Sequence, residues 1–361
     1  MAENRTQSSP APMEGKGGYN RNSRVQAAGL ASAIPLFTEA ARAVSLPPAP
    51  EPIVIADYGA SEGHNSLVPV AEAISFLRSR VGLARAISVI HTDLPNSDFS
   101  GLFATLQNDP ESYLRHDPAI FASAVGRTFY EQLLPSGTVT LGWSSWAVQW
   151  LSRIPAIIPD HVQVAYSRNR DAQAAYAAQA DEDWRAFLTH RGQELRSGAR
   201  LVVLTMASTD AGDFGYQAVL EALMESLAQL VADGLISAEE VARMSIPTVG
   251  RTRAALLQPF ADSNSFAGLA IESADVFLGR DRIWEEYEQS GDARAFGGTW
   301  AAFVRASTFP TLALGLGGGS KDPRVFRFYQ DLELSLASRL ARSPERTVIP
   351  LARLVLVKSD S

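Results

Sequence analysis

The stretch from Pro52 to Leu67, which reads PIVIADYGASEGHNSL, constrains the fold more than any other part of this sequence. Its apolar run, Ile53 to Ala56, has no polar interruption, which is typical of a strand buried on both faces of a parallel sheet. Asp57 ends the run, and the turn GASEG leads into a helix that we predict from Asn65 to Leu77. In such a strand, turn and helix unit, a nucleotide-like ligand binds at the carboxyl end of the strand.

A second strand, predicted from Ala86 to His91, is followed by an acidic residue, Asp93. An acidic side chain at this place can accept hydrogen bonds from the ribose hydroxyls of an adenosine. The first turn has neither the GxGxxG fingerprint of dinucleotide sites nor the GK[ST] of a P-loop. The two strands together predict an adenosine-containing cofactor without a bound pyrophosphate. An ordinary strand-to-helix loop is the alternative interpretation.

The overall composition narrows the classes of function. The chain has 361 residues and a formal net charge of -7, which argues against a nucleic-acid-binding protein. It has no cysteine, so disulfides, thiolate metal sites and a cysteine nucleophile are excluded. No apolar run reaches the roughly 18 residues of a membrane span, and the first residues lack the apolar core of a signal peptide. We therefore expect a soluble, cytoplasmic protein that does not bind a membrane.

The order of apolar and polar segments predicts the domain organisation. Residues 1–15 are polar and are expected to be disordered. Alternating strands and helices over 16–240, with a last strand within 344–361, predict a doubly wound α/β core. Residues 241–343 lose this alternation and are expected to form a mostly helical cap inserted before the last strand. The glycine-rich run from Gly315 to Arg324 lacks P-loop spacing and is interpreted as a turn in that cap.

Tryptophan is concentrated in the segment WSSWAVQWL, Trp143 to Leu151. We predict a helix here, because Trp146 and Trp150 are four residues apart and would then share one face. Such a face can form an aromatic wall around a flat organic substrate. Packing of a helix on the sheet is the other interpretation of the same pattern.

Familiar catalytic constellations are missing from the sequence. The five histidines are scattered and form no HExxH pair, so a zinc centre is not expected. There is also no GxSxG nucleophile elbow. The interpretation that fits is a reaction in which cofactor and substrate carry the chemistry and the protein aligns them.

Several ordered blocks of the sequence resemble the SABATH methyltransferases. The blocks are GGYNRNSRVQ, IADYGASEGHNSL, DLPNSDFSGLF, GRTFYEQLLP and WSSWAVQWLSRIP, and the resemblance covers residues 15–357. It implies a Rossmann-like class I methyltransferase sheet and S-adenosylmethionine as the methyl donor, with S-adenosylhomocysteine as product. It also implies a small aromatic or hydrophobic carboxylic acid as substrate, a methyl ester as product, and a homodimer. The Ala-rich style suggests a microbial member.

The resemblance also implies roles for individual residues. Cofactor contacts are expected at Tyr19, Ser23, Asp57, Gly59, Ala60, Asn65, Asp93, Leu94, Thr128, Phe129 and Ser144. Gln26 and Trp150 match the pair that holds the acceptor carboxylate, and both are expected to be catalytic. Other substrate contacts are expected at Trp146, Gln149, Phe309 and Thr311. The segment that binds a metal in some members, here Ala242 to Ser245, has no carboxylate, so no metal is expected.

A carboxylate is already nucleophilic at neutral pH, so methyl transfer to it needs alignment and removal of water and no general base. N-methylation of a small heterocycle on the same fold is the first alternative function. The others are a non-catalytic binding protein that has kept the pocket, and an NAD-dependent dehydrogenase, against which the missing fingerprint argues.

Overall fold

A single eight-stranded sheet forms the centre of the computed structural model, which describes residues 10–15, 17–18, 29–115 and 117–359. The strands are β1 Ile53–Tyr58, β2 Ile87–Asp93, β3 Ile120–Gly126, β4 Val139–Ser145, β5 Leu195–Met206, β6 Ser265–Phe266, β7 Leu269–Leu278 and β8 Pro350–Lys358. Their order across the sheet is β3-β2-β1-β4-β5-β8-β7-β6.

Helices cover both faces of this sheet. They are α1 Ile34–Ala43, α2 His64–Val81, α3 Phe99–Asn108, α4 Arg170–Glu194, α5 Gln217–Ala232, α6 Ala238–Val241, α7 Arg253–Leu257, α8 Arg282–Ser290, α9 Ala293–Leu312 and α10 Val325–Arg342. Short 3₁₀ turns lie at Val164–Tyr166, Gln258–Phe260, Ala313–Gly315 and Gly319–Lys321. Within the described ranges, no helix combines the length and the apolar character needed to cross a bilayer.

The predicted doubly wound arrangement is confirmed for the first five strands. β1 pairs in parallel with β2 on one side and with β4 on the other, so the direction of winding reverses at β1. All six residues of β1 are buried, as its uninterrupted apolar run predicted. The carboxyl ends of β1, β2 and β4 therefore meet at one edge of the sheet, which is where α/β proteins of this type bind ligands.

The predicted helical cap is wrong for part of its range. Within 241–343, strands β6 and β7 belong to the main sheet, because β7 runs antiparallel to β8 along its whole length. β7 reads LAIESADVFL and is half-exposed near the sheet edge. Its polar residues interrupt the apolar run, so the sequence pattern did not predict a strand here. The cap proper consists of α8, α9 and α10, where Phe309 of α9 packs against Phe328 and Tyr329 of α10.

The last residues of the expected disordered tail are placed against the cap, which corrects that expectation for residues 10–15. The Glu14 backbone N–H donates to the Ala306 carbonyl oxygen at 3.0 Å. Its carboxylate accepts from the Arg305 guanidinium at 2.9 Å, and Arg305 also donates to Glu333 at 2.7 Å. This segment crosses the edge of the sheet at which the strand ends of β1, β2 and β4 meet.

The glycine-rich run is an anchored turn. Arg324 donates to Glu240 at 2.6 Å and to Asp322 at 2.8 Å, and the Gly317 backbone N–H donates to Glu240 at 2.7 Å. Glu240 also closes the capping box of α6 with Ser237. Asp322 and Arg324 of this run therefore bind each other, and Arg324 also binds Glu240 at the start of α6, in agreement with the interpretation of the run as a turn.

Candidate functional site

Two backbone turns form the floor of the site where β1 and β2 end. The Gly59 and Ala60 N–H groups both donate to the Thr92 carbonyl oxygen at 2.9 Å, which ties the β1 turn to β2. Gly59 has φ +93°, and a Cβ added there would lie 2.5 Å from the Ala147 Cβ. A glycine is therefore required at position 59 both by its conformation and by the close approach of the loop after β4.

Asp93 lies at the end of β2 and faces this turn. Its Oδ2 accepts the Ser61 N–H at 2.7 Å, and its Oδ1 accepts the Leu94 N–H at 2.7 Å and the Ser97 hydroxyl at 2.5 Å. Since each carboxylate oxygen has about two lone-pair directions, one on Oδ2 is left for a ligand. Burial raises the pKa of Asp93 above its ordinary value, although the hydrogen bonds from Ser97, Ser61 and Leu94 act in the opposite direction.

A cavity of about 390 Å³ opens above these turns. Seven residues that the sequence singled out line it together: Gly59, Asp93, Leu94, Thr128, Phe129, Trp146 and Trp150. The rest of the lining comes from residues 10–13, Ser61, Tyr130, Glu131, Ala147, Leu151 and Ser152. We call this the cofactor-side cavity. Its lining combines a glycine turn, a carboxylate and an aromatic ring, which suits an adenosine.

A smaller cavity of about 80 Å³ adjoins it. It is lined by Met13, Trp146, Gln149, Trp150, Gln163, Met206, Phe214, Tyr216, Val219, Leu220, Ile246, Thr248, Phe303, Val304, Ser307 and Thr308. We call this the acceptor-side cavity. Among these described lining residues there is no Asp, Glu, His, Lys or Arg, so the polar groups of the wall are hydroxyls, amides and indole N–H groups.

The segment after β4 is a loop, and the helix predicted there is wrong. Trp143 is the third last residue of β4 and is fully buried. Trp146 then adopts φ +54°, a left-handed conformation that is unusual for a residue with a side chain. Trp146 and Trp150 nevertheless line the same two cavities, and they do so from a turn and not from a helix face.

The backbone of this loop is held by hydrogen bonds to three distant residues, Leu204, Arg251 and Tyr130. The Trp146 N–H donates to the Leu204 carbonyl oxygen at 2.8 Å, and Arg251 donates to the Val148 carbonyl oxygen at 2.6 Å. The Tyr130 hydroxyl donates to the Trp150 carbonyl oxygen at 2.5 Å. Arg251 is 4% exposed, and this burial lowers its pKa below the ordinary value.

Gln149 is buried and its amide has partners at both ends. Its Nε2 donates to the Trp146 carbonyl oxygen at 2.6 Å, and its Oε1 accepts the Thr205 hydroxyl at 3.0 Å. The amide therefore shapes the loop, and only one of its N–H bonds is left to face a ligand.

Several expected cofactor residues do not line the cofactor-side cavity. The Asp57 carboxylate is buried and bonds to His91 Nδ1 at 2.8 Å, and His91 Nε2 lies 2.7 Å from the Tyr113 hydroxyl. The Ser144 hydroxyl is also buried and donates to the Tyr58 carbonyl oxygen at 3.0 Å. Ala60 contributes the backbone N–H of the turn, and Asn65 lies in the first turn of α2. These residues build the turn and the strand ends beneath the cavity.

The expected substrate contacts on α9, Phe309 and Thr311, do not line the acceptor-side cavity. Phe309 is fully buried against α10, and Thr311 is buried in the last turn of α9; neither lines the acceptor-side cavity. Phe303, Val304, Ser307 and Thr308 of the same helix line it instead. No pattern in the sequence distinguishes these two faces of α9, since both are rich in apolar and small residues.

Other expected residues cannot be placed, and some site residues were missed. Tyr19, Ser23 and Gln26 lie outside the described residues. Met13, Ser61, Tyr130 and Gln163 line the cavities without having been singled out. Ser61 and Tyr130 lie within blocks that the sequence did highlight, whereas Met13 lies in a segment that its composition marked as disordered. Among the described residues, no group of three or more His, Asp or Glu side chains is arranged to hold a metal ion.

Comparison with known proteins points to one family. The family model described as "SAM dependent carboxyl methyltransferase" matches residues 8–354. "Methyltransferase FUS9" of Gibberella moniliformis is 27% identical over 67% of this chain and 64% of its own length. "Salicylate carboxymethyltransferase" of Clarkia breweri is 29% identical over 66% of this chain and 67% of its own. The matched region thus spans just under two thirds of the fungal relative.

A solved structure, "Loganic acid methyltransferase with SAH", has the same fold. It superposes with a TM-score of 0.73 at 22% sequence identity, covering 97% of this chain and 99% of that one.

Proposed function

The chain belongs to the SAM dependent carboxyl methyltransferase family, and from this premise we propose that it transfers a methyl group from S-adenosylmethionine to the carboxylate of a small acid. The observation that carries the proposal is the junction of the two cavities. Met13, Trp146 and Trp150 line both of them, so a ligand in one cavity can reach a ligand in the other. A donor and an acceptor held on either side of this junction can meet without solvent between them.

The cofactor-side cavity fits the adenosine part of the methyl donor. Gly59 lets the backbone approach closely, since a Cβ at this position would fill the space beside Ala147. The available lone-pair direction on Asp93 Oδ2 can accept a ribose hydroxyl, and Phe129 with Thr128 offers an apolar wall for the adenine. Tyr19 and Ser23 complete this set on the strength of the family resemblance.

When bound, S-adenosylmethionine supplies an electrophilic methyl group on a sulfonium centre, so that bond formation to a carboxylate oxygen and release of a thioether occur in one displacement. The residues of this chain contribute alignment and exclusion of water. The acceptor-side wall has no Asp, Glu, His, Lys or Arg among its described residues, and a carboxylate needs no proton removed before it reacts. We propose that the Trp150 indole N–H and the Gln26 amide hold the carboxylate, since neutral donors orient it without forming a tight ion pair.

The acceptor is proposed to be a small aromatic or hydrophobic acid. Phe214 and Phe303 with Ile246 and Val304 provide flat and apolar surface in a cavity of about 80 Å³. The proteins "Salicylate carboxymethyltransferase" and the Petunia hybrida "benzoic acid/salicylic acid carboxyl methyltransferase 3" are named for acids of this size and kind. The acid would lie with its carboxylate toward Trp150 and its apolar part toward α9.

The family resemblance suggests the assembly state of the chain, and its composition suggests the location. We propose that the chain forms a homodimer and works in the cytoplasm. Light scattering behind size-exclusion chromatography measures the first property, and a mass of one chain of 38.9 kDa would contradict it.

Methyl transfer from labelled S-adenosylmethionine to a panel of aromatic, terpenoid and fatty acids, with several xanthines, tests the proposed reaction. We expect labelled product from an aromatic or hydrophobic acid, and we expect mild alkali to release the label because esters saponify. Label that survives alkali would instead establish N-methylation of a heterocycle. Binding of cofactor without transfer to any acid or heterocycle in the panel would contradict the proposed class of substrate.

A further inference from the structure

A fully buried ion pair lies in the last turn of α4. Arg191 and Glu194 are 2.8 Å apart and both side chains are 0% exposed. Neither residue lines the cofactor-side or the acceptor-side cavity. Removing two charges from water is costly, and the attraction between them offsets this cost only with good geometry and further hydrogen bonds. The hydrogen-bond partners of the pair therefore indicate its role.

The pair binds the backbone of one loop at four points. Arg191 donates to the carbonyl oxygens of Phe129 at 2.9 Å and Glu131 at 2.8 Å. Glu194 Oε1 accepts the N–H groups of Leu133 at 2.5 Å and Leu134 at 3.1 Å. The 129–134 loop has no helix or strand of its own, so these bonds replace the regular backbone pairing that it lacks.

The same pair also contacts the end of β1. The Tyr58 hydroxyl donates to Glu194 Oε2 at 2.8 Å, and the Arg191 guanidinium lies 4.3 Å from the centre of the Tyr58 ring. Tyr58 directly precedes Gly59, which lines the cofactor-side cavity, while Phe129 and Glu131 line that cavity from the loop. Arg191 and Glu194 thus join two segments of the cavity wall that are about 70 residues apart in sequence.

We infer that Arg191 and Glu194 are positioning residues for the cofactor: they hold the 129–134 loop against the β1 turn at the separation that the adenosine requires. This inference rests on the proposed function of the cofactor-side cavity. A planar guanidinium can bind two carbonyl oxygens at once, whereas a lysine cannot reproduce that fork. A carboxylate likewise accepts several donors where its amide analogue accepts fewer.

Calorimetric titration of S-adenosylhomocysteine into the Glu194→Gln and Arg191→Lys variants of the full chain tests the inference. If the 129–134 loop of a variant adopts its binding conformation about a tenth of the time, the apparent Kd of S-adenosylhomocysteine rises about 10-fold. The titration separates two effects, since misfolded protein lowers the binding stoichiometry and a misplaced loop raises Kd. The KM of the acid should stay within about 2-fold of wild type, because the acceptor-side cavity is not touched.

Tyr58→Phe provides a milder variant in case the charge changes prevent folding. It removes one hydrogen bond to Glu194 and keeps the ring, so a rise in Kd of about 3-fold is expected. Asp117→Asn is the matched control. Its partner Arg78 is also a mostly buried arginine with several backbone acceptors, but the pair lies at the opposite edge of the sheet, before β3. This control should lose thermal stability and keep the wild-type Kd.

The outcomes separate the inference from the function on which it rests. A wild-type chain that does not bind S-adenosylhomocysteine would overturn the proposed function and the inference with it. A wild-type chain that binds, with Kd unchanged in the folded Glu194→Gln, Arg191→Lys or Tyr58→Phe variants, would overturn the inference alone. An equal rise of Kd in Asp117→Asn would show a general loss of stability and would also overturn it.

Discussion

Ser61 and Asp93 are joined by a hydrogen bond of 2.7 Å from a backbone N–H to a carboxylate oxygen. This bond ties the glycine turn after β1 to the end of β2. It also fixes the one carboxylate that lines the cofactor-side cavity from a strand end. The carboxylate therefore shapes the turn, and under the proposed function it would also accept a ribose hydroxyl.

Replacement of Asp93 by Ala is expected to weaken binding of S-adenosylhomocysteine. Loss of a hydrogen bond to a charged acceptor costs about 1.5–3 kcal/mol, which corresponds to roughly 10- to 150-fold in Kd. Calorimetry measures this change in Kd, and Asp275→Ala is the control, since Asp275 on β7 forms an exposed ion pair with Arg353 on β8. An Asp93→Ala protein that binds as tightly as wild type would refute the assignment.

Trp150→Phe is expected to impair turnover and spare cofactor binding. Phenylalanine keeps an apolar ring in both cavities but has no N–H to hold a carboxylate, so kcat/KM for the acid should fall by roughly 10- to 150-fold. Trp184→Phe is the control, because Trp184 is buried away from both cavities and donates to the Leu256 carbonyl oxygen at 3.0 Å. Loss of cofactor affinity in Trp150→Phe would place the acceptor site elsewhere. Gln26→Ala should behave like Trp150→Phe.

Gly59→Ala is expected to destabilise the protein by about 1–3 kcal/mol, because alanine is strained at φ +93° and its Cβ would meet Ala147. Gly298→Ala is a matched change inside α9, where a new Cβ meets nothing within 4 Å. It should stabilise the protein by about 0.4–1 kcal/mol. Thermal unfolding followed by circular dichroism measures both, and a Gly59→Ala protein as stable as wild type would mean that the turn can relax.

The pair between Glu240 and Arg324 is expected to make stability depend on acid pH. The hydrogen bond from Arg324 lowers the pKa of Glu240 to about 2. An unfolded glutamate has a pKa of about 4.3, so the stabilisation is fully present above that pH and is lost as the pH falls toward about 2. The difference in Tm between wild type and Glu240→Gln should shrink over this window. A difference that is constant with pH would contradict the assigned ion pair, and Glu182→Gln on the exposed face of α4 is the control.

Treatment with a chelator is expected to leave methyl transfer unchanged. The segment from Ala242 to Ser245, which carries a metal ligand in some SABATH members, has no carboxylate here. Activity after dialysis against EDTA, with and without added Mg²⁺, provides the measurement. A loss that Mg²⁺ restores would show that this chain uses a metal.

The centre of the sheet could be predicted from sequence because buried parallel strands have uninterrupted apolar sequences. Ile53 to Ala56 is such a run, and Gly59 and Asp93 follow the strand ends where ligands bind. The strand β7 could not be found in this way, since an edge strand needs few apolar residues and its partner β8 lies about 70 residues further along the chain.

The loop after β4 shows a second limit. Spacing alone placed Trp146 and Trp150 on a helix, but Trp146 takes a left-handed conformation that its side chain does not favour. That conformation is held by distant partners, Leu204, Tyr130 and Arg251, which local sequence does not reveal. Arg191 and Glu194 were missed for a related reason, because charges in the last turn of a helix usually face water. The available signal was their spacing from the buried Phe187, because Arg191 lies four residues after it and Glu194 seven, which places both on its face of the helix.

The reversed direction of β8 determines how the protein can be handled. The chain enters β8 beside Met206, at the edge of the sheet that holds both cavities, and passes Arg200 near its end, at the opposite edge. A purification tag fused after the last residue would therefore leave the molecule on the side away from the ligands. A tag fused before the first residue would extend the segment whose Met13 lines both cavities. Immobilisation for binding measurements should accordingly use the carboxyl end.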